Sequence, residues 1–146
     1  MQRRALLGCG LAFCASTALA MSPARPVIRL SCPDSTAGAD LCQALTQALS
    51  EAAPRASILR VARGDEAVGR AQDIGVAVQI TVADAQGIGA QLSWQSGPAG
   101  PRRTGRDVRI DMMDTGLNRT ILRHLANTLV KDDNRLQSAL HALGAA

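Results

Sequence analysis

The run Ile74-Gly75-Val76-Ala77-Val78-Gln79-Ile80-Thr81-Val82-Ala83, the turn Asp84-Ala85-Gln86-Gly87 and the run Ile88-Gly89-Ala90-Gln91-Leu92-Ser93-Trp94-Gln95 decide the fold. In the first run Ile74, Val76, Val78, Ile80 and Val82 share one side, and Gly75, Ala77, Gln79, Thr81 and Ala83 share the other. After the turn, Ile88, Ala90, Leu92 and Trp94 alternate with Gly89, Gln91, Ser93 and Gln95. Side chains of a strand alternate with period two, so the two runs predict a hairpin with one dry face that a second layer must cover.

The covering layer is legible on both sides of the hairpin. Upstream, a strand over about 27–32 precedes Pro33-Asp34-Ser35-Thr36, which is good helix-start chemistry. A helix over about 37–52 then carries Leu41, Leu45, Leu49 and Ala52 on one stripe until Pro54 stops it. A strand from Ser57 to Ala62 follows, and a helix joining two strands implies parallel neighbours. Residues 63–73 are polar and contain glycine, which predicts a loop.

Downstream of the hairpin, a loop rich in Gly, Pro and Arg leads to a strand with Val108, Ile110 and Met112 opposed by Asp107, Arg109 and Asp111. Asp114 or Thr115 is the expected cap of a helix with Leu117, Ile121, Leu125 and Leu129 on its apolar stripe. Asp132-Asp133-Asn134 reads as a helix break before a last short helix holding Leu136, Leu140 and Leu143. The expected fold is α+β: a two-layer sandwich, β-α-β-β-β-α, with a mixed sheet covered on one face by two helices and a short C-terminal helix. The other sheet face is expected to meet water.

The N-terminus reads as an address. Met1-Gln2-Arg3-Arg4 is basic, Ala5 to Ala15 is apolar, and Ala18-Leu19-Ala20 offers the small residues of a signal-peptidase site. Residues 1–20 are therefore expected to be a cleaved secretory signal, and 21–146 a single domain with 131–146 as a helical extension. Leu6-Leu7-Gly8-Cys9 resembles a lipoprotein box, but too few apolar residues precede it. A retained membrane helix fits poorly too, because Ser16 and Thr17 interrupt a run shorter than the roughly 20 residues a bilayer requires. The expected location is periplasmic or secreted.

Processing would remove Arg3 and Arg4, leaving fourteen basic against twelve acidic residues, a formal charge of +2. That balance is no signature of nucleic-acid binding. Trp94 is the single tryptophan, there is no tyrosine, and the one phenylalanine, Phe13, lies in the leader. Sugar-stacking platforms and single-strand nucleic-acid sites rely on aromatic side chains, so both lose weight.

Two cysteines remain after processing, Cys32 and Cys42. Cys32 is in phase with Ile28 and Leu30, and Cys42 sits beside the Leu41, Leu45 and Leu49 stripe, so both sulfurs point into one strand-helix layer. In an exported chain that predicts a structural disulfide, whose short loop contributes roughly 2 to 3 kcal/mol. Nine intervening residues do not make a C-x-x-C redox motif, and no histidine cluster completes a zinc set.

The Leu41, Leu45 and Leu49 stripe, the Ile58 to Val61 strand, the Ile74-Gly75-Val76 strand, the hairpin ending at Leu92 and Trp94 and the closing amphipathic helix together resemble the N-terminal α/β domain of TolB-type and FlgO-type bacterial envelope proteins. The resemblance is one of layout. It implies a non-catalytic assembly or interaction module of the envelope, and it does not extend to the cysteine pair or the arginine loop.

Few side chains suggest chemistry. His124 falls at the edge of a helical stripe, His141 lies in the terminal extension, and no H-E-x-x-H, G-x-S-x-G or P-loop motif is present. No cofactor and no metal are expected. Asp107 and Asp111 alternate with Arg109 as a charged strand face, and Asn118-Arg119-Thr120 matches a glycosylation sequon by coincidence. Trp94 is expected in the core. The loop Gly97-Pro98-Ala99-Gly100-Pro101-Arg102-Arg103-Thr104-Gly105-Arg106 is the best functional candidate, because Arg102, Arg103 and Arg106 concentrate guanidinium groups at an expected hairpin tip.

The leading expectation is a small exported, disulfide-stabilised interaction module with no enzyme activity, binding a protein or anionic partner through Arg102, Arg103 and Arg106. The polar sheet face of Gln79, Thr81, Gln91, Ser93 and Gln95 is a second possible docking surface. The alternatives are a periplasmic hydrolase using Asp111, Asp114 and His124, and a small-ligand carrier using the space between sheet and helices.

Overall fold

The computed structural model describes residues 24–112 and 116–145. The expected leader at 1–20 and Asp114 lie outside the described residues. In chain order the elements are β1 (Val27–Ser31), α1 (Thr36–Ala52), β2 (Ser57–Val61), β3 (Ile74–Ala83), β4 (Gly87–Ser96), β5 (Arg103–Thr104), β6 (Val108–Asp111), α2 (Arg119–Lys131) and α3 (Asn134–Ala145).

β3 and β4 form the predicted hairpin, with Val76 opposite Trp94 and Val78 opposite Leu92. The Asp84 carboxylate closes the turn, accepting the amides of Gln86 at 2.8 Å and Gly87 at 2.9 Å. β1 pairs parallel to β2, as the helix between them implies, and also parallel to β3, so the sheet is mixed and runs β2-β1-β3-β4. β5 and β6 both add to the free edge of β4. The α+β architecture is as the hairpin and its flanking stripes foretold.

The dry face of the sheet meets the helices. Ile28, Leu30, Ile74, Val76, Ile88 and Leu92 are buried against Leu41, Leu45 and Leu49 of α1 and Leu125 and Leu129 of α2. At roughly 1.5–3 kcal/mol per buried aliphatic side chain, this layer is the main source of stability. The Ser35 hydroxyl caps α1 by accepting the Gly38 amide at 3.0 Å. The Cys32–Cys42 disulfide ties the end of β1 to α1, with Cα atoms 5.9 Å apart.

Three features depart from the sequence reading. Helix α2 is capped by Asn118, whose Oδ1 accepts the Ile121 amide at 3.0 Å, so Leu117 falls before the helix and is exposed. Gly116, with φ of 66°, holds the left-handed turn that delays the start. The buried stripe becomes Leu122, Leu125, Ala126, Leu129 and Val130. Second, α3 is no appendage: Leu136, Leu140 and Leu143 are buried in the same core. Third, the sheet face away from the helices is partly roofed by residues 62–73. Ser31 on that face is buried, and a Cβ at Gly75 would collide with the Glu66 carbonyl.

Candidate functional site

The roof and the arginine loop meet at the β4 edge. Asp73, at the end of the roof, is buried and accepts Arg70 Nε at 2.8 Å, Arg70 Nη2 at 2.9 Å and the Val27 amide at 2.9 Å. Burial pushes its carboxyl up, but those hydrogen bonds and the charges of Arg70 and Arg29 outweigh it, so the net shift is downward. Its backbone carbonyl takes the Gly97 amide at 2.9 Å and so fixes the start of the loop.

From there the loop is tied at nearly every step. Gln95 Nε2 donates to the Pro98 carbonyl at 3.1 Å, and Gln91 Nε2 to the Gly105 carbonyl at 2.9 Å. The Gly105 amide donates to the Leu92 carbonyl at 2.7 Å, and the Thr81 hydroxyl to Asp107 at 2.8 Å. Three residues of the polar sheet face, Thr81, Gln91 and Gln95, therefore anchor this segment. The expectation of a loop throughout is corrected: Arg103 and Thr104 form β5, opposite Trp94 and Ser93. The ladder is available to them because β4 extends past β6 and leaves backbone groups unpaired.

The three arginines are held by three different partners. Arg102 Nη2 pairs with Glu66 Oε1 at 3.2 Å, on the roofed face. Burial pushes the Glu66 carboxyl up, yet hydrogen bonds from its own amide, Arg102, Ser31 and Gly64 outweigh that and hold it low. Arg103 lies over the Trp94 ring at 6.0 Å from the centroid, on the helix face. Arg106 Nη2 reaches Asp132 Oδ2 at 2.7 Å, in the turn between α2 and α3. The trio thus straddles the sheet edge instead of converging on one tip.

Trp94 is buried, as expected, and its Nε1 donates to Asp133 Oδ2 at 2.9 Å. The other oxygen of Asp133 accepts the amides of Arg135 at 3.1 Å and Leu136 at 3.0 Å, so one carboxylate caps α3 and anchors the indole. Sequence reading missed Glu66 and Asp132 as partners of the loop arginines and Asp133 as the anchor of the indole. Their partners are distant in sequence, and only the doublet at a helix break hinted at a cap.

The residues of the hydrolase alternative are differently placed. Asp111 is 74% exposed, 3.6 Å from Arg109, and alternates with the inward-facing Ile110 and buried Met112, so it points away from the helices. His124 is exposed on α2, on the other side of the sheet. His141 is exposed on α3. Among the described residues, no group of three or more His, Cys, Asp or Glu is arranged to hold a metal ion. Among them, too, no helix is long and apolar enough to cross a membrane. For the carrier alternative, the space between sheet and helices is occupied by the aliphatic core described above.

No protein-family model and no curated protein matches the chain. Among solved structures, it is similar to a dodecameric PelC variant from Paraburkholderia phytofirmans, at 10% identity and a TM-score of 0.47, over 80% of this chain and 88% of that one.

Proposed function

We propose that this chain is an exported, disulfide-stapled, non-catalytic interaction module that docks an anionic protein partner on the edge built by β5 and its flanking arginines. The observation that carries the reading is the anchoring of exposed cations. The Arg102 and Arg106 side chains are 54% and 75% exposed, on a segment whose backbone the Asp73 carbonyl, Gln91 and Gln95 hold in place. A guanidinium has five N–H donors, so an ion pair through Nη2 leaves others facing water. A tied loop also loses less conformational entropy on binding than a free one.

Export is part of the proposal. The n-region, apolar run and Ala18-Leu19-Ala20 site support it, and an oxidising compartment suits the Cys32–Cys42 bridge. The resemblance read from the sequence to TolB-type and FlgO-type envelope domains supports an envelope setting.

Crosslinking and mass spectrometry on intact cells test both parts. The expected chain begins at Met21, carries the bridge, and yields partner crosslinks that a double charge reversal, Arg102→Glu with Arg106→Glu, removes while the far-ultraviolet spectrum is unchanged. Crosslinks retained at low salt by that variant overturn the docking edge. Intact residues 1–20 on cytosolic protein with alkylatable Cys32 and Cys42 overturn export.

A further inference from the structure

An open groove of about 620 Å³ lies between the β4–β5 edge and the first turns of α3, and Trp94, Ser96, Arg103, Asn134, Arg135 and Ser138 contribute to its walls. The lining includes two guanidinium groups and no carboxylate. The neighbouring acids are already engaged: Asp132 with Arg106, and Asp133 with the indole and the first amides of α3. Arg103 rises from β5 against the Trp94 ring, and Arg135 is exposed on the second residue of α3. Among the described residues, no acid pairs with either guanidinium, so the groove presents two positive charges.

We infer that this groove receives an acidic, extended peptide segment of the partner, with its carboxylates on Arg103 and Arg135. The inference rests on the docking reading above and adds to it a residue outside the loop, Arg135. Guanidinium groups bind carboxylates bidentately, and the stacked Arg103 is ordered before the partner arrives. The openness of the groove favours a peptide over a small anion. Small-ligand sites enclose about 70–90% of their ligand, and a lone anion here would stay largely in water. An extended segment fills the groove and brings several carboxylates past both guanidinium groups.

Trp94 is the single tryptophan of the chain and lines the groove, so its emission reports occupancy. The purified chain is titrated at low ionic strength with hexaglutamate, hexaglutamine and inorganic phosphate. Hexaglutamate is expected to give a saturable change in Trp94 emission that hexaglutamine does not, and that about 1 M salt abolishes, because the Debye length is then about 3 Å. Arg135→Gln is expected to weaken hexaglutamate about tenfold, the loss of one charge-assisted pair. Arg103→Gln provides a second, independent loss. Unchanged affinity in Arg135→Gln, or an equal response to phosphate, overturns the groove.

The two readings fail separately. Partner crosslinks lost on reversing Arg102 and Arg106, with hexaglutamate indifferent to Arg135, remove the groove and leave the docking edge. Hexaglutamate binding that depends on Arg135, with crosslinks indifferent to the reversal, removes the loop's role and leaves the groove.

Discussion

Asp132 and Asp133 are adjacent and chemically identical, and the fold gives them unequal work. Asp132 meets a guanidinium that is 75% exposed, an arrangement worth little in water. Asp133 caps α3 and accepts the indole of a buried tryptophan. Asp133→Ala is therefore expected to cost about 2–4 kcal/mol, from about 1 for the cap and about 1–3 for the orphaned indole donor. Asp132→Ala is expected to stay within about 0.5 kcal/mol. Urea denaturation of both variants checks the contrast. Asp73 supplies a pH prediction. A carboxyl held lower in the folded state than in the unfolded chain adds stability above its unfolded pKa, about 4, and loses it as pH falls through the folded value. Asp73→Asn should thus be less stable than the parent at pH 7, with the gap closing below about pH 4; equal stabilities at pH 7 would contradict the assignment. The sequence marked the doublet as a helix break, and it placed Trp94 in the core. It did not mark the bond between them, because the partners are 39 residues apart and no periodicity links them.

Among the elements, the hairpin and the two stripes were legible because burial on one face forces a period on the chain. The start of α2 was not. Asp114, Thr115 and Asn118 are all acceptable caps by composition, and the left-handed Gly116 makes Asn118 the one observed. Nor was the roof legible: residues 62–73 lack periodicity, and the one trace of their course is Gly75, where the Glu66 carbonyl occupies the place of a Cβ. Gly75→Ala is accordingly expected to cost about 1–3 kcal/mol by overpacking. It should also loosen the Arg102–Glu66 pair, seen as faster amide exchange around Gly64. Unchanged exchange and an unchanged melting temperature would show the roof to be pliant. The arginine segment resembled a free loop because its ties are backbone ladder bonds and glutamine side chains, neither of which leaves a pattern in sequence.

At the scale of the molecule, the core is closed by the last helix as much as by the hairpin. Leu140 is fully buried, and Leu140→Ala is expected to cost about 2–5 kcal/mol in urea unfolding, as much as a core leucine in α1. A cost under about 0.5 kcal/mol, usual for a surface position, would make α3 the detachable extension that its sequence suggested. Replacing Cys32 and Cys42 together by serine is expected to lower stability by roughly 2–3 kcal/mol, read from the same transition. The bridge itself is lopsided: Cys32 is partly exposed at the rim, whereas Cys42 is 1% exposed. Attack by a thiolate on the more exposed Cys32 sulfur sends the electrons of the broken bond to Cys42, a leaving group beside the α1 leucines where negative charge is poorly solvated. The staple is therefore expected to open slowly in reductant, a rate that timed alkylation of the freed Cys32 and Cys42 thiols reads.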